Sequence, residues 1–120
     1  MDSILVVEDE EIILGLITDV LEMYGYKVRA FSDADTAWEF VRSQDSAPRL
    51  LITDLRMPGE IDGVELVKRV QQMRPQTPIL VASGYHGDSG LLNDTSVYWL
   101  PKPFSIDQLH AICQKLAPPS

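Results

Sequence analysis

Four short apolar runs punctuate the chain: Ile4 to Val7, Leu50 to Thr53, Ile79 to Ala82 and Val97 to Leu100. None alternates with polar residues, the pattern of strands covered on both faces of a parallel sheet. A fifth run, Lys27 to Phe31, does alternate and predicts an edge strand. Between the runs, apolar residues recur at helical spacing. Ile13, Leu16, Ile17, Val20, Leu21 and Tyr24 form the first set; Ala34, Ala37, Trp38 and Val41 the second; Leu66, Val67, Val70 and Met73 the third. A last helix is predicted from Ser105, with Gln108 completing a capping box and Ile106, Leu109, Ile112, Cys113 and Leu116 on one face. Gly25 and Pro75 are expected to stop the first and third helices. Alternating strands and helices predict an α/β fold, a parallel sheet with helices on both faces. One stretch, Gly84 to Ser96, breaks the pattern: its glycines and short polar residues leave only Leu91 and Leu92 as apolar content. A fourth helix there is expected to be short or frayed, and Gly87 to Thr95 to be the most mobile segment.

Composition narrows the class. A chain of 120 residues, 45% hydrophobic and 23% charged, suits a single domain over residues 1–120, with a core over about 3–116 and a tail over 117–120. No apolar run approaches the roughly 18 residues of a membrane span, and acids occupy the N-terminus where a signal peptide carries positive charge, so a cytoplasmic protein is expected. The net charge of -8 argues against a direct grip on nucleic acid. Cys113, the only cysteine, falls on the last helical stripe and reads as buried filler.

Chemistry in open α/β sheets sits beyond the carboxyl ends of the strands. Glu8 and Asp9 follow the first run, Asp54 the third, Ser83 the fourth, and Lys102 the fifth, held between Pro101 and Pro103. Each alone has an ordinary reading as a cap, a turn residue or a solvated charge. Together they converge three carboxylates, a hydroxyl and an ammonium on one crevice. Three carboxylates so placed need a divalent cation, a protonated member or a lysine partner. Oxygen ligands without histidine or cysteine suit Mg²⁺, and metal, hydroxyl and ammonium together complement a phosphoryl group.

The acidic pair in "LVVEDE", the stretch "LLITDLRMPG" followed by "DGVEL", the turn "VASG" and the "LPKPF" run together resemble the receiver domain of two-component response regulators, over about Ser3 to Leu116. The resemblance implies a doubly wound five-stranded sheet of order 2-1-3-4-5. It implies that Asp54 is the phosphorylated nucleophile, taking a phosphoryl group from a histidine kinase or a histidine phosphotransfer protein. Asp9, Asp54 and the Arg56 carbonyl would bind Mg²⁺, with Glu8 acting through water. Ser83 and Lys102 would meet the phosphoryl oxygens, and Lys102-Pro103 would be cis. Ser83 and Trp99 occupy the family's switch positions, and Arg56 and Tyr85 flank the site as tuning residues. A weak homodimer is compatible with the family.

The sequence departs from the family pattern in four places. Glu8 replaces the commoner aspartate. "MPGEIDG" is longer than the usual loop by one residue and is expected to bulge away from the site. Trp99 stands where a smaller aromatic is usual, and reads equally as a fixed indole or a moving switch. The span from Ser83 to Trp99 is shorter than usual. His86 and His110 read as solvated, and Trp38 as core. The competing functions are a Mg²⁺-dependent phosphatase with an aspartyl nucleophile, a binding-only receiver-like domain and a flavin carrier. Arg56 two residues after the nucleophile, the complete polar set, and the acids after the first run argue against them in turn. Both a stand-alone regulator and the receiver portion of a hybrid sensor kinase remain open.

Overall fold

The computed structural model describes residues 3–57, 59–84 and 97–118. Five strands, β1 (Ser3–Val7), β2 (Lys27–Phe31), β3 (Leu50–Thr53), β4 (Ile79–Ser83) and β5 (Tyr98–Pro101), form one parallel sheet of order β2-β1-β3-β4-β5. Four helices among the described residues, α1 (Glu11–Met23), α2 (Ala34–Ser43), α3 (Gly63–Met73) and α4 (Ile106–Leu116), connect and flank it. The short helix expected between Gly84 and Ser96, and the mobile segment Gly87 to Thr95, lie outside the described residues.

Alternate side chains of the central strands feed two cores. Leu5, Val7, Leu51, Ile79 and Val81 pack with Ala34, Ala37 and Val41 of α2 and with Leu66, Val67 and Val70 of α3. Ile4, Val6, Leu50, Ile52 and Leu80 pack on the other face with Ile17, Val20 and Leu21 of α1 and with Leu109 and Cys113 of α4. The continuous apolar runs of β1, β3 and β4 follow from this two-sided cover. Burial pushes the Cys113 thiol up to about 12, which leaves it inert at neutral pH.

Helix ends obey local chemistry. Asp33 and Asp62 cap α2 and α3 by accepting the amides of Thr36 (2.6 Å) and Glu65 (3.0 Å). Ser105 and Gln108 form the expected capping box on α4. Gly25, at φ 92, ends α1 in a Schellman turn: its amide donates to the Glu22 carbonyl, and the Tyr26 amide reaches back to Leu21.

Several expectations need correction. β5 is an edge strand, not one covered on both faces, and Tyr98 is 42% exposed. Leu16, Tyr24, Met73 and Ile106 lie on their predicted stripes yet are exposed; the last three fall at helix ends, whereas Leu16 lies mid-helix beside the groove formed with Pro103 and Phe104. Trp38 is half-buried, with the Arg69 guanidinium over its ring. His110 is half-buried too and stacks on Tyr24 at 3.5 Å between ring centroids. Ala117, expected to begin a tail, is buried, and its carbonyl accepts the Tyr26 hydroxyl at 2.8 Å. The expected bulge of the loop after Met57 is not contradicted, and it is held against α2: Ile61 is buried, and the amides of Glu60 and Ile61 donate to Asp35.

Candidate functional site

Parallel register carries the polar residues to one end of the sheet. Val7 pairs with Thr53, and the next rung is the Asp54 amide donating to the Val7 carbonyl (3.1 Å), which places Asp54 beside Glu8 and Asp9. Ser83 pairs with Pro101, and the Lys102 amide donates to the Ser83 carbonyl (2.9 Å), which brings Lys102 over from the sheet edge. The Lys102-Pro103 peptide is cis, as expected.

Lys102 ties the site together. Its ammonium donates to Glu8 Oε1 (2.5 Å) and to Asp54 Oδ2 (2.9 Å). Asp54 Oδ1 accepts the amides of Leu55 (2.6 Å) and Arg56 (3.3 Å), while Glu8 Oε2 accepts that of Glu10 (3.1 Å). Asp9 remains exposed, yet one carboxylate oxygen from each of Glu8, Asp9 and Asp54 falls within 4.8 Å of the others. Asp9, Glu10, Asp54, Arg56, Ser83, Gly84 and Lys102 line a cleft of about 250 Å³. Glu8 is only 2% exposed and is not among the lining residues.

Two groups at the site are shifted, for different reasons. Burial pushes the Glu8 carboxyl above its ordinary value, against the hydrogen bonds from Lys102 and the Glu10 amide that favour its anion. For Lys102, burial acts to lower the ammonium, but its hydrogen bonds to Glu8 and Asp54 outweigh that and hold it above its ordinary value. One ammonium thus faces three carboxylates. The residual negative charge and the oxygen-only donor set fit a hard divalent cation.

The structure brings together Glu8, Asp9, Asp54, Arg56, Ser83 and Lys102. Trp99 does not line the cleft; half-buried, it packs with Val97 against the core beneath α2 and α3. Tyr85 lies outside the described residues. Sequence reasoning passed over Gly63, where a Cβ would stand 1.8 Å from the Asp54 carbonyl oxygen, and Asp35, which holds the loop after Met57. The Asp-Gly pair at 62–63 was a visible signal for the first; nothing local marked the second.

The family model of the response regulator receiver domain matches residues 4–114. The chain belongs to this family. The receiver domain is similar to the NtrC transcriptional regulator of Azospirillum brasilense, 31% identical over 116 residues that cover 94% of this chain and 24% of that protein. It is similar to the receiver protein CpdR of Brucella abortus, 34% identical over 114 residues, 91% of each chain. The chain spans about a quarter of the length of the NtrC and NtrX relatives. Among solved structures, the receiver domain of the hybrid histidine kinase CckA superposes with TM-score 0.81 at 30% identity, covering 96% of this chain and 98% of that one. The response regulator TrrA of Thermotoga maritima, solved in complex with Mg²⁺ and BeF, gives 0.85 at 27% identity, covering 97% and 99%. Phosphatase, binding-only and flavin-carrier readings find no support in these likenesses. Receiver domains take phosphoryl groups from histidine kinases and are signalling modules, not classical enzymes. No helix among the described residues is long and apolar enough to cross a membrane.

Proposed function

We propose that Asp54 is the phosphoacceptor of this receiver domain and takes its phosphoryl group from a phosphohistidine of a histidine kinase or phosphotransfer protein. One observation carries the reading. Asp54 meets the cleft with Oδ1 fixed by two amides and Oδ2 bonded, among the described residues, to Lys102, an ammonium that can pass to an incoming phosphoryl oxygen. Asp54 Oδ2 forms the new O–P bond as the P–N bond of the donor breaks, and the donor imidazole keeps that electron pair. Lys102 and the Ser83 hydroxyl each take a phosphoryl oxygen. Asp9, Asp54 and the Arg56 carbonyl would hold Mg²⁺, with Glu8 behind them through water. Bound there, the ion supplies charge neutralisation for a phosphoryl group approaching an acidic cleft. Phosphorylation then shifts the population between inactive and active forms, with Ser83 and Trp99 as the groups that register it. The module works as one domain in a cytoplasmic setting.

Acetyl phosphate with Mg²⁺, followed by intact mass, tests the acceptor. Wild type is expected to gain one phosphoryl group and Asp54→Asn none. A gain that persists in Asp54→Asn would move the acceptor elsewhere.

A protein donor must also cover the rim of the cleft. Beside it, Ile13, Leu16, Pro103 and Phe104 line an apolar groove of about 320 Å³ that shares Lys102 with the site, and the neighbouring Ile12 is 88% exposed. We assign this groove to an apolar face of the donor. Leu16→Asp should slow transfer from a phosphorylated donor about tenfold, the effect of losing one interface anchor. The rate with acetyl phosphate should stay unchanged, and equal slowing with both donors would place the damage in the site itself.

A further inference from the structure

Asp35, the second residue of α2, is an acid in the first turn of a helix, where the macrodipole alone would account for it. Its hydrogen bonds point elsewhere. The α2 N-terminus is already capped by Asp33 through the Thr36 amide, and both Asp35 oxygens are spent outside the helix. Oδ2 accepts the Glu60 amide and Oδ1 the Ile61 amide, each at 3.1 Å and 25 and 26 residues along the chain. Gly59, at φ 126, makes room for this, since a Cβ there would stand 2.4 Å from Asp35 Oδ2.

The loop so held carries the acceptor at its start. Leu55 and Arg56, whose amides fix Asp54 Oδ1, lie at one end; Gly63, whose amide donates to the Leu55 carbonyl (3.0 Å), lies at the other. Met57 and Ile61 are both 8% exposed and anchor the loop in the core shared with Ala34 and Ala37. Apolar anchors resist withdrawal of the loop but do not fix the rotation of its peptides. Two parallel hydrogen bonds to one carboxylate do.

We infer that Asp35 is a positioning residue for the acceptor site: by fixing the Glu60 and Ile61 peptides it holds the Leu55 and Arg56 backbone in the orientation that cradles Asp54 and would offer the Arg56 carbonyl to a bound cation. The inference rests on the reading of Asp54 as phosphoacceptor, and its effect passes through the loop, never through contact with the reacting atoms.

The test compares wild type, Asp35→Ala, Asp35→Asn and Asp33→Ala, the last removing a cap from the same helix without touching the loop. Two quantities are read: amide hydrogen exchange at Leu55 and Arg56 in metal-free protein, and the rate of phosphorylation by acetyl phosphate across a Mg²⁺ titration. Asp35→Ala should speed exchange at both amides about tenfold and raise half-saturating Mg²⁺ several-fold, with most of the rate recovered at saturation. Asp35→Asn keeps one acceptor oxygen and should fall between; it also serves if the alanine variant does not fold. Asp33→Ala should lower the melting temperature while leaving both amides and the Mg²⁺ midpoint at wild-type values. If Asp35→Ala or Asp35→Asn matches Asp33→Ala in both readouts, Asp35 is only a helix-end acid and the inference is overturned. If wild type takes no phosphate, the acceptor reading fails, and the exchange data alone decide whether Asp35 holds the loop.

Discussion

Gly63→Ala is expected to be the most damaging glycine-to-alanine change among the described residues. The added Cβ would lie 1.8 Å from the Asp54 carbonyl oxygen and 2.6 Å from the Leu55 Cα, and both are backbone atoms that no rotamer change can move aside. Either α3 backs away from the sheet or the Asp54 to Leu55 peptide turns. Overpacking of this kind costs about 3 kcal/mol, which for a domain of this size lowers the melting temperature by about 10 °C. Whatever fraction folds has a displaced acceptor, so phosphorylation by acetyl phosphate should fall at least about tenfold. Gly15 offers the control. It lies within α1 with nothing within 4 Å of its would-be Cβ, and there the same substitution should stabilise by about 1 kcal/mol through helix propensity. Urea midpoints of the two variants should therefore move in opposite directions; a Gly63→Ala protein as stable as wild type would show that α3 does not press on the acceptor peptide.

The second large effect is expected from Lys102→Met in chelator. Methionine keeps most of the apolar stem and removes only the charge, so Glu8, 2% exposed, and Asp54 lose their shared cation. Breaking a buried pair from one side costs about 3 kcal/mol. The pH dependence identifies the cause. A carboxyl whose folded pKa is raised, as burial raises that of Glu8, favours the folded state below its ordinary value of 4.5, and that advantage is lost as the pH rises through the folded value. Without Lys102 the carboxyl rises further and more stability is lost by neutral pH. The gap between variant and wild type should thus be widest near pH 7 and close as the pH falls toward 4. Wild type loses the pair from the alkaline side, as the pH rises through the Lys102 value raised above 10.5. Mg²⁺ should rescue the variant more than wild type, because it replaces the missing positive charge. A gap equal at pH 4 and pH 7 would mark lost packing instead, and Lys102 would not be the site's counter-charge.

How far the sequence revealed this arrangement depended on the range of the interaction involved. Apolar runs identified β1, β3 and β4 because cover on both faces leaves no room for polar residues, and the alternation of Lys27 to Phe31 marked an edge. Val97 to Leu100 looked the same as the central runs, although Tyr98 faces outward; an edge strand that still packs one face can be as apolar as a buried one. Helical stripes located the helices but not their exposed ends, as Met73 and Ile106 show. The site residues were legible because parallel strands end together, so that position after a strand is nearly position in space. Asp35 escaped for the opposite reason, and Gly63 showed only the Asp-Gly pair that contains it, not the backbone it meets. Their roles arise where α2 and α3 meet a loop tens of residues away or a backbone already in place, and neither helix shows it in its own spacing. Tyr26 bonding to Ala117 across 91 residues was equally invisible locally.

The single ammonium that bridges Glu8 and Asp54 comes from residue 102, separated from them by 94 and 48 residues. Such a pairing is closed late, since long chain loops must be ordered before it rewards them. On a ribosome, β1 and β3 can emerge and pair while β5 is still in the exit tunnel, and during that interval the acids crowd together without their counter-charge. The acceptor pocket therefore cannot be complete until the edge strand has docked. A nascent or truncated chain lacking β5 and α4 would hold the acidic residues but not the lysine that bridges them, so the site is complete only once the whole domain has been made.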